Sequence, residues 1–368
     1  MLPNSKSKTL YVGTYTRHES HVDGHAEGIY VYQFDPENGK LRHQSTMIGV
    51  VNPSFVTVEP RGKFLYAVNE LTREEEVSGT VSAFAIDPAT GDLAFLNKQL
   101  TGGLAPAYVS TDQNGRYAFV ANYITGNVAV FPVQKNGELL PASDHNQHHG
   151  SGPDPRQDGP HAHSILPDPS GQFLLSADLG ADHILMYGFD PQKGELLPHD
   201  PPFISIPAGS GPRHMTFHPY GNFLYVVTEC ASTILVFAYD GSLGQAQHIQ
   251  TISTLPDDFT AFSAGADIHF LPNANGRILY ASNRGHDSIA IFAVNAETGR
   301  LTLVGHEPTQ GKEPRNFALD PTGKYLLAAN QNSDSVVVFR INPENGALTP
   351  TGEPNQIPSP VCLQFAPH

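Results

Sequence analysis

Along the chain, apolar and aromatic residues gather in short runs, each ended by a polar turn. Examples are "KFLYAV" (63–68), "RYAFVAN" (116–122), "NFLYVVT" (222–228) and "RILYAS" (277–282). These runs are rich in aromatic and β-branched residues, which suit a pleated, buried strand. Pro-x-Gly or Asn-Gly steps precede them and read as hairpin turns. A second set follows, including "TVSAFAID" (80–87), "NVAVFPV" (127–133), "TILVFAYD" (233–240) and "SVVVFRIN" (335–342). Several of these close on an Asp-Pro-x-x-Gly type of turn, as at 35–39, 190–194 and 342–346. No capped helical periodicity extends beyond a turn or two.

The runs form one template that repeats from end to end. Copies span 52–70, 105–123, 159–179, 211–230, 265–284 and 313–331, and a partial copy spans 359–367. Their anchors are Pro53, Pro106, Pro160, Pro212, Ala266, Pro314 and Pro360, spaced 46 to 54 residues apart. A period near fifty is what a four-stranded propeller blade requires. The reading is an all-β, seven-bladed β-propeller of antiparallel four-stranded blades, a single domain over residues 1–368. The last copy holds one strand, "VCLQFAP" (361–367). The N-terminal region supplies "TLYVGTY", "GIYVYQFD" and "KLRHQSTMI". The two termini are therefore expected to share one blade and close the ring, which removes exposed edges. A pair of β-sandwich domains would not produce one repeated template.

Charge narrows the partners. The chain carries 21 Lys and Arg against 36 Asp and Glu, a formal charge of −15. This repels nucleic acid and anionic membranes, yet allows a basic pocket for a small anion. There are two cysteines, Cys230 and Cys362, too few for a disulfide scaffold. No apolar run is long enough to span a bilayer, and residues 1–8 lack the apolar core of a signal peptide. A cytoplasmic monomer or weak homodimer is expected.

Propeller geometry brings together the loop entering each first strand and the loop leaving each second strand. After the anchor, three copies carry Ser54, Ala107 and Val361; the others carry His161, Arg213, Asp267 and Arg315. Two positions on stand His163, Met215, His269 and Phe317. After the second strand stand Glu70, Tyr123, Leu179, Glu229, Arg284, Gln331 and Tyr15. A scaffold does not need charge at positions that other copies fill with Ala, Val or Leu. The expected site is therefore His161, Arg213, Glu229 and Arg284 as catalytic residues, with His163, Asp267, His269, Arg315 and Glu70 binding substrate.

Plainer readings stand beside these. The arginines can pair with Glu229 and Asp267 as a structural network. The strand-end Asn69, Asn122, Asp178, Asn283 and Asn330 read as turn caps. Of His161 and His163, one is expected to face the channel and the other to pack. The loop 141–158 is expected to overhang the mouth, and a second His-bearing loop spans 16–28. Their histidines (His18, His21, His25, His145, His148, His149) match no zinc spacing, and no metal or cofactor is expected. Cys230 reads as a small core residue.

The motifs "GTYT" (13–16), "GPHAHS" (159–164), "GPRHMTFHP" (211–219), "VTE" (227–229), "ADIH" (266–269), "SNRG" (282–285) and "PRNFALDPTGKYLLAAN" (314–330) resemble the lactonase propeller family. That family includes the bacterial propeller-type 6-phosphogluconolactonase and the fungal carboxymuconate cyclase. The resemblance covers essentially the whole chain. It implies seven blades, no cofactor, and a lactone ester opened or formed at the channel mouth by His161, Arg213, Glu229 and Arg284. A small anionic lactone, above all 6-phosphogluconolactone, is the implied substrate. A lactone-forming isomerase and a non-catalytic ligand-binding propeller are the alternatives. Glu229 or His161 is the expected base, and Glu229 loses that role if arginines clamp it.

Overall fold

The computed structural model describes residues 7–72 and 77–367. Seven antiparallel sheets stand around a channel. Blade one comprises Phe55–Val58, Phe64–Asn69, Thr80–Ile86 and Leu93–Leu100. Blades two to six begin at Pro106, Ala162, Pro212, Ala264 and Pro314. In blade seven the order is Pro360–Phe365, Lys8–Thr14, Gly28–Asp35 and Lys40–Ile48, so the C-terminal strand is innermost. The expected closure is thus found, with Leu10 paired to Phe365 and Val12 to Leu363. Blade six departs from four regular strands: Leu348–Pro350 and Asn355–Gln356 share its outer position. A single 3-10 turn, Gln331–Ser333, is the only helical element among the described residues. No helix among them is long and apolar enough to cross a membrane.

The burial gradient explains the sequence pattern. Second strands such as Tyr117–Asn122, Phe223–Thr228 and Tyr325–Asn330 are buried at every position. They lie inside the sheet and are covered on both faces by neighbouring blades, so they read as unbroken apolar runs. Outer strands such as Leu93–Leu100 alternate between half-buried and exposed. Among the described residues, apolar side chains form one cluster at each of the seven blade–blade interfaces and a small eighth of Tyr15, Val22 and Val361.

Directed hydrogen bonds reinforce those interfaces. Tyr11, Tyr66, Tyr117, Tyr225, Tyr280 and Tyr325 each donate a hydroxyl to a main-chain carbonyl in the next blade, at 2.8–3.3 Å. The acceptors lie in the turn between that blade's third and fourth strands. Only the step from blade three lacks the bond, because Phe173 and Leu175 occupy the two strand positions that supply these tyrosines. The same turns need glycine: Gly39 has φ +73°, and a Cβ there would stand 2.7 Å from the Tyr325 ring. At the opposite end, the amides of Asn69, Asn122, Asn283 and Asn330 donate to the carbonyls of Val51, Thr101, Thr254 and Thr309, in the crossover from the preceding blade. The strand-end asparagines are thus inter-blade clamps, and the turn cap is Asp178, whose Oδ1 accepts the Ala181 amide.

Removing one buried tyrosine hydroxyl leaves a carbonyl unpaired inside an interface, a loss of about 1–2 kcal/mol. Tyr225→Phe and Tyr280→Phe should each destabilise by that amount. Their effects should add, because they touch different interfaces. Tyr220→Phe, at an exposed side chain, should change nothing. Urea unfolding midpoints of the three variants and the double variant measure this.

Candidate active site at the channel mouth

In each blade the first strand pairs antiparallel with the second, so its start lies beside the second strand's end. Strand register fixes which residues meet there. Pro212 faces Thr228 and Pro314 faces Asn330, which sets Arg213 and Arg315 at an unpaired bulge position. In blade three Ala162 faces Asp178, so the equivalent residue is His163 and not His161. The cause is local: Asp178 Oδ1 accepts the His161 amide at 2.7 Å and holds 159–161 as a turn before the strand. In blade five Gly265 faces Asn283, so Ala266 takes the Arg213 position and Asp267 falls one step deeper.

A cavity of about 360 Å³ opens at this end of the ring. Glu70, His163, Glu229, Arg284 and Arg315 line it, with His21, Ser20, Thr72, Tyr123, Ile124, Ala105 and Ala107. Of the expected residues, five therefore share one wall. Arg213 lies directly behind, 2% exposed, in a small void that also touches His163, Arg315 and Glu70. His161 is not in the lining. It stacks on Tyr123 with ring centroids 4.6 Å apart, and its nitrogens meet Tyr123 O and Asp158. Asp267 and His269 are also outside the lining. Asp267 is buried beneath it, 2.8 Å from both His214 Nδ1 and His269 Nε2, and also accepts from Asn316.

Glu229 organises the mouth. Its Oε2 accepts Arg213 Nε at 3.0 Å and Arg284 Nη2 at 2.7 Å, and Arg156 Nη1 stands 3.7 Å from Oε1. Burial alone would raise its pKa, but Arg284, Arg213, Arg315 and Arg156 together hold it down to about 2. Arg213 is spent on structure: it also donates to Ala266 O and meets His214 Nε2 at 3.3 Å. Burial and repulsion from Arg284 and Arg315 push its pKa down to about 9, still cationic at neutral pH. The network reading therefore holds for Arg213 and Glu229. Arg284 joins it and also faces the cavity.

Arg315 differs. It stands over the Tyr15 ring, 5.7 Å from the centroid, and among the described residues no carboxylate lies within ion-pairing distance of it. His163 packs edge-on against Tyr123 and His214, and its Nδ1 is buried with no partner. Burial first, then the charge of Arg213, keeps it neutral by holding its pKa well below the ordinary value. Burial likewise raises the Cys230 thiol to about 12, which removes it as a nucleophile.

The loops only partly match expectation. Residues 144–147 of the 141–158 segment form the outer strand of blade two. The rest is tied down by His148, whose Nδ1 is 2.7 Å from Asp178. Its tip delivers Arg156 to Glu229. The 16–28 loop folds a small ribbon, His18–Glu19 with Val22–Asp23, that puts His21 into the cavity. Neither residue belongs to the repeat, so comparing copies could not reveal them. No group of three or more potential metal ligands occurs among the described residues.

Known proteins resemble the chain over most of its length. A family model described as "Lactonase, 7-bladed beta-propeller" matches residues 9–365. The chain is 38% identical to a 6-phosphogluconolactonase of Bacillus subtilis over 313 residues, 85% of each chain. It is 35% identical to one of Formosa agariphila, over 85% of this chain and 86% of the relative. The solved structure of a periplasmic gluconolactonase from Pseudomonas aeruginosa superposes with a TM-score of 0.91 at 36% identity, covering 98% of this chain and 99% of that one. With fold and relatives in agreement along its length, the chain belongs to the seven-bladed β-propeller lactonase family.

Proposed function

We propose that this protein hydrolyses a sugar-acid lactone, 6-phosphogluconolactone foremost, at the channel mouth. The observation that carries this reading is Arg315: a cation in the cavity without a carboxylate partner, beside a neutral histidine. An unpaired guanidinium there is a ready seat for a phosphate or carboxylate, whose oxygens match its fork. The relatives named 6-phosphogluconolactonase and gluconolactonase support the lactone assignment.

Lactone opening needs a water that loses a proton and a carbonyl oxygen that gains charge. Glu229, held near pKa 2, is too weak a base at neutral pH and serves as the anchor that orients Arg284. Arg284 then faces the cavity with a fixed guanidinium and stabilises the oxyanion without reorganising. His163 replaces His161 as the general base. Its neutral form can accept a proton, and the surrounding arginines oppose the imidazolium only while the cavity lacks an anion. Substrate charge at Arg315 offsets that repulsion and raises the basicity of His163 in the complex. A phosphorylated substrate does not cross membranes unaided, which puts this activity in the cytoplasm.

Proton release from freshly prepared 6-phosphogluconolactone, at a slightly acid pH that slows spontaneous opening, tests the assignment. Wild type should open it rapidly. Arg284→Ala should lose about 10²–10³ in kcat. Arg315→Ala should mainly raise KM for the phosphorylated lactone. Wild type indistinguishable from buffer would end the assignment, and carboxylated lactones would be offered next.

The base has its own signature. Unphosphorylated gluconolactone avoids the phosphate's ionisation. With it, kcat/KM should stay level through the ordinary imidazole range near about 6.5 and fall only at lower pH. Activity is present above the depressed folded pKa of His163 and lost as pH falls through it. The acid limb of kcat should lie higher if bound anion relieves the repulsion. His163→Gln should abolish this limb and cost about 10²–10⁴ in kcat. An acid limb unmoved by His163→Gln would remove His163 from the mechanism.

A further inference from the structure

Two groups of opposite charge share the cavity wall without pairing. Glu70 follows the second strand of blade one. Its Oε2 accepts the Tyr15 hydroxyl at 2.7 Å. Among the described residues its Oε1 has no donor within hydrogen-bond distance; His21 Nε2 stands 3.7 Å away. Arg315 lies on the face of the same tyrosine. Tyr15 is fully buried, so its ring carries the cation and its hydroxyl fixes the anion. Opposite charges this close in a sheltered cavity attract strongly. Tyr15 keeps them apart, and each retains an unmet demand.

A carboxylate is an odd component of a pocket for anions, since it repels the ligand that Arg315 attracts. It becomes useful if the ligand carries an O–H donor next to its anionic group. We infer that Glu70 is a specificity-determining residue that accepts a substrate hydroxyl through Oε1, selecting polyhydroxylated sugar-acid lactones over hydroxyl-free carboxylated ones. This deepens the lactonase reading and, for its lactone part, rests on it. Hydroxyl-to-carboxylate bonds are charge-assisted. A site built to accept a hydroxyl strongly rejects an analogue without one, because its acceptor is then left buried and unmet.

Binding tests this independently of turnover. Gluconate 6-phosphate and 6-phosphohexanoate share a phosphate, a carboxylate and a chain length, and differ in the hydroxyls. In calorimetric titrations the wild type should bind gluconate 6-phosphate about tenfold to a hundredfold more tightly. Glu70→Gln should erase most of that preference by weakening gluconate 6-phosphate alone, with 6-phosphohexanoate unchanged or tighter. Tyr15→Phe keeps the ring beneath Arg315 and removes the hydroxyl that orients Glu70, so it should reduce the preference severalfold. Equal binding of the two ligands by wild type overturns the inference without any variant. A preference that survives both substitutions also overturns it. A wild type that shows the preference yet opens no lactone would sink the hydrolase reading and leave hydroxyl recognition by Glu70 standing.

Discussion

Each blade is too small to bury its own second strand, and the fold follows from that constraint. Two-faced burial of an unbroken apolar strand requires a neighbour on both sides, so a row of blades must become a ring. The tyrosine-to-turn bond makes the contact directional: a hydroxyl in one blade finds a carbonyl in the next, six times around the circle. Asparagine clamps repeat the logic at the opposite end. Blade orientation is thereby set at both ends of the interface, and first and second strands meet at one mouth with little freedom.

That rigidity allows the mouth to hold an electrostatically unfavourable arrangement. Arg213 and Arg284 pair with Glu229, with Arg156 at the edge and Arg315 facing the same cavity, on a chain whose overall charge is −15. Cations are crowded there. Burial first, and then this crowding of cations, depresses the pKa of Arg213 and keeps His163 neutral. A bound anion would offset the crowding, so in the proposed mechanism substrate affinity and base strength have the same origin. The acidic outer surface gives no attraction until a ligand reaches the mouth, where the sign reverses over a short distance.

Much of this was legible in the repeat, for a physical reason. Seven copies of one template must place equivalent residues equivalently, so a charge where other copies carry alanine or valine stands out. Arg213, Glu229, Arg284 and Arg315 were found in that way, as was the shared closing blade. The errors came from places where the template slips. Gly-Pro before His161 looks like the Gly-Pro before Arg213, yet Asp178 holds it as a turn and moves the strand start by two residues. Blade five is displaced by one, which drops Asp267 below the mouth and brings His269 with it. Register depends on main-chain pairing, and a run of residue types carries little of it. His21 and Arg156 sit on loops that no other copy contains.

The seam where the two termini meet has a consequence for how activity arises. Tyr15 belongs to the closing blade, Glu70 to the one after it and Arg315 to the one before. The substrate seat therefore straddles the join, and contacts such as Leu10 with Phe365 span nearly the whole chain. During synthesis, blades one to six can stack in order while the N-terminal strands wait for their partner. Only when the last strand arrives do Tyr15, Glu70 and Arg315 come into register. An incompletely made chain would be well stocked with β-structure and would still lack the assembled cavity wall.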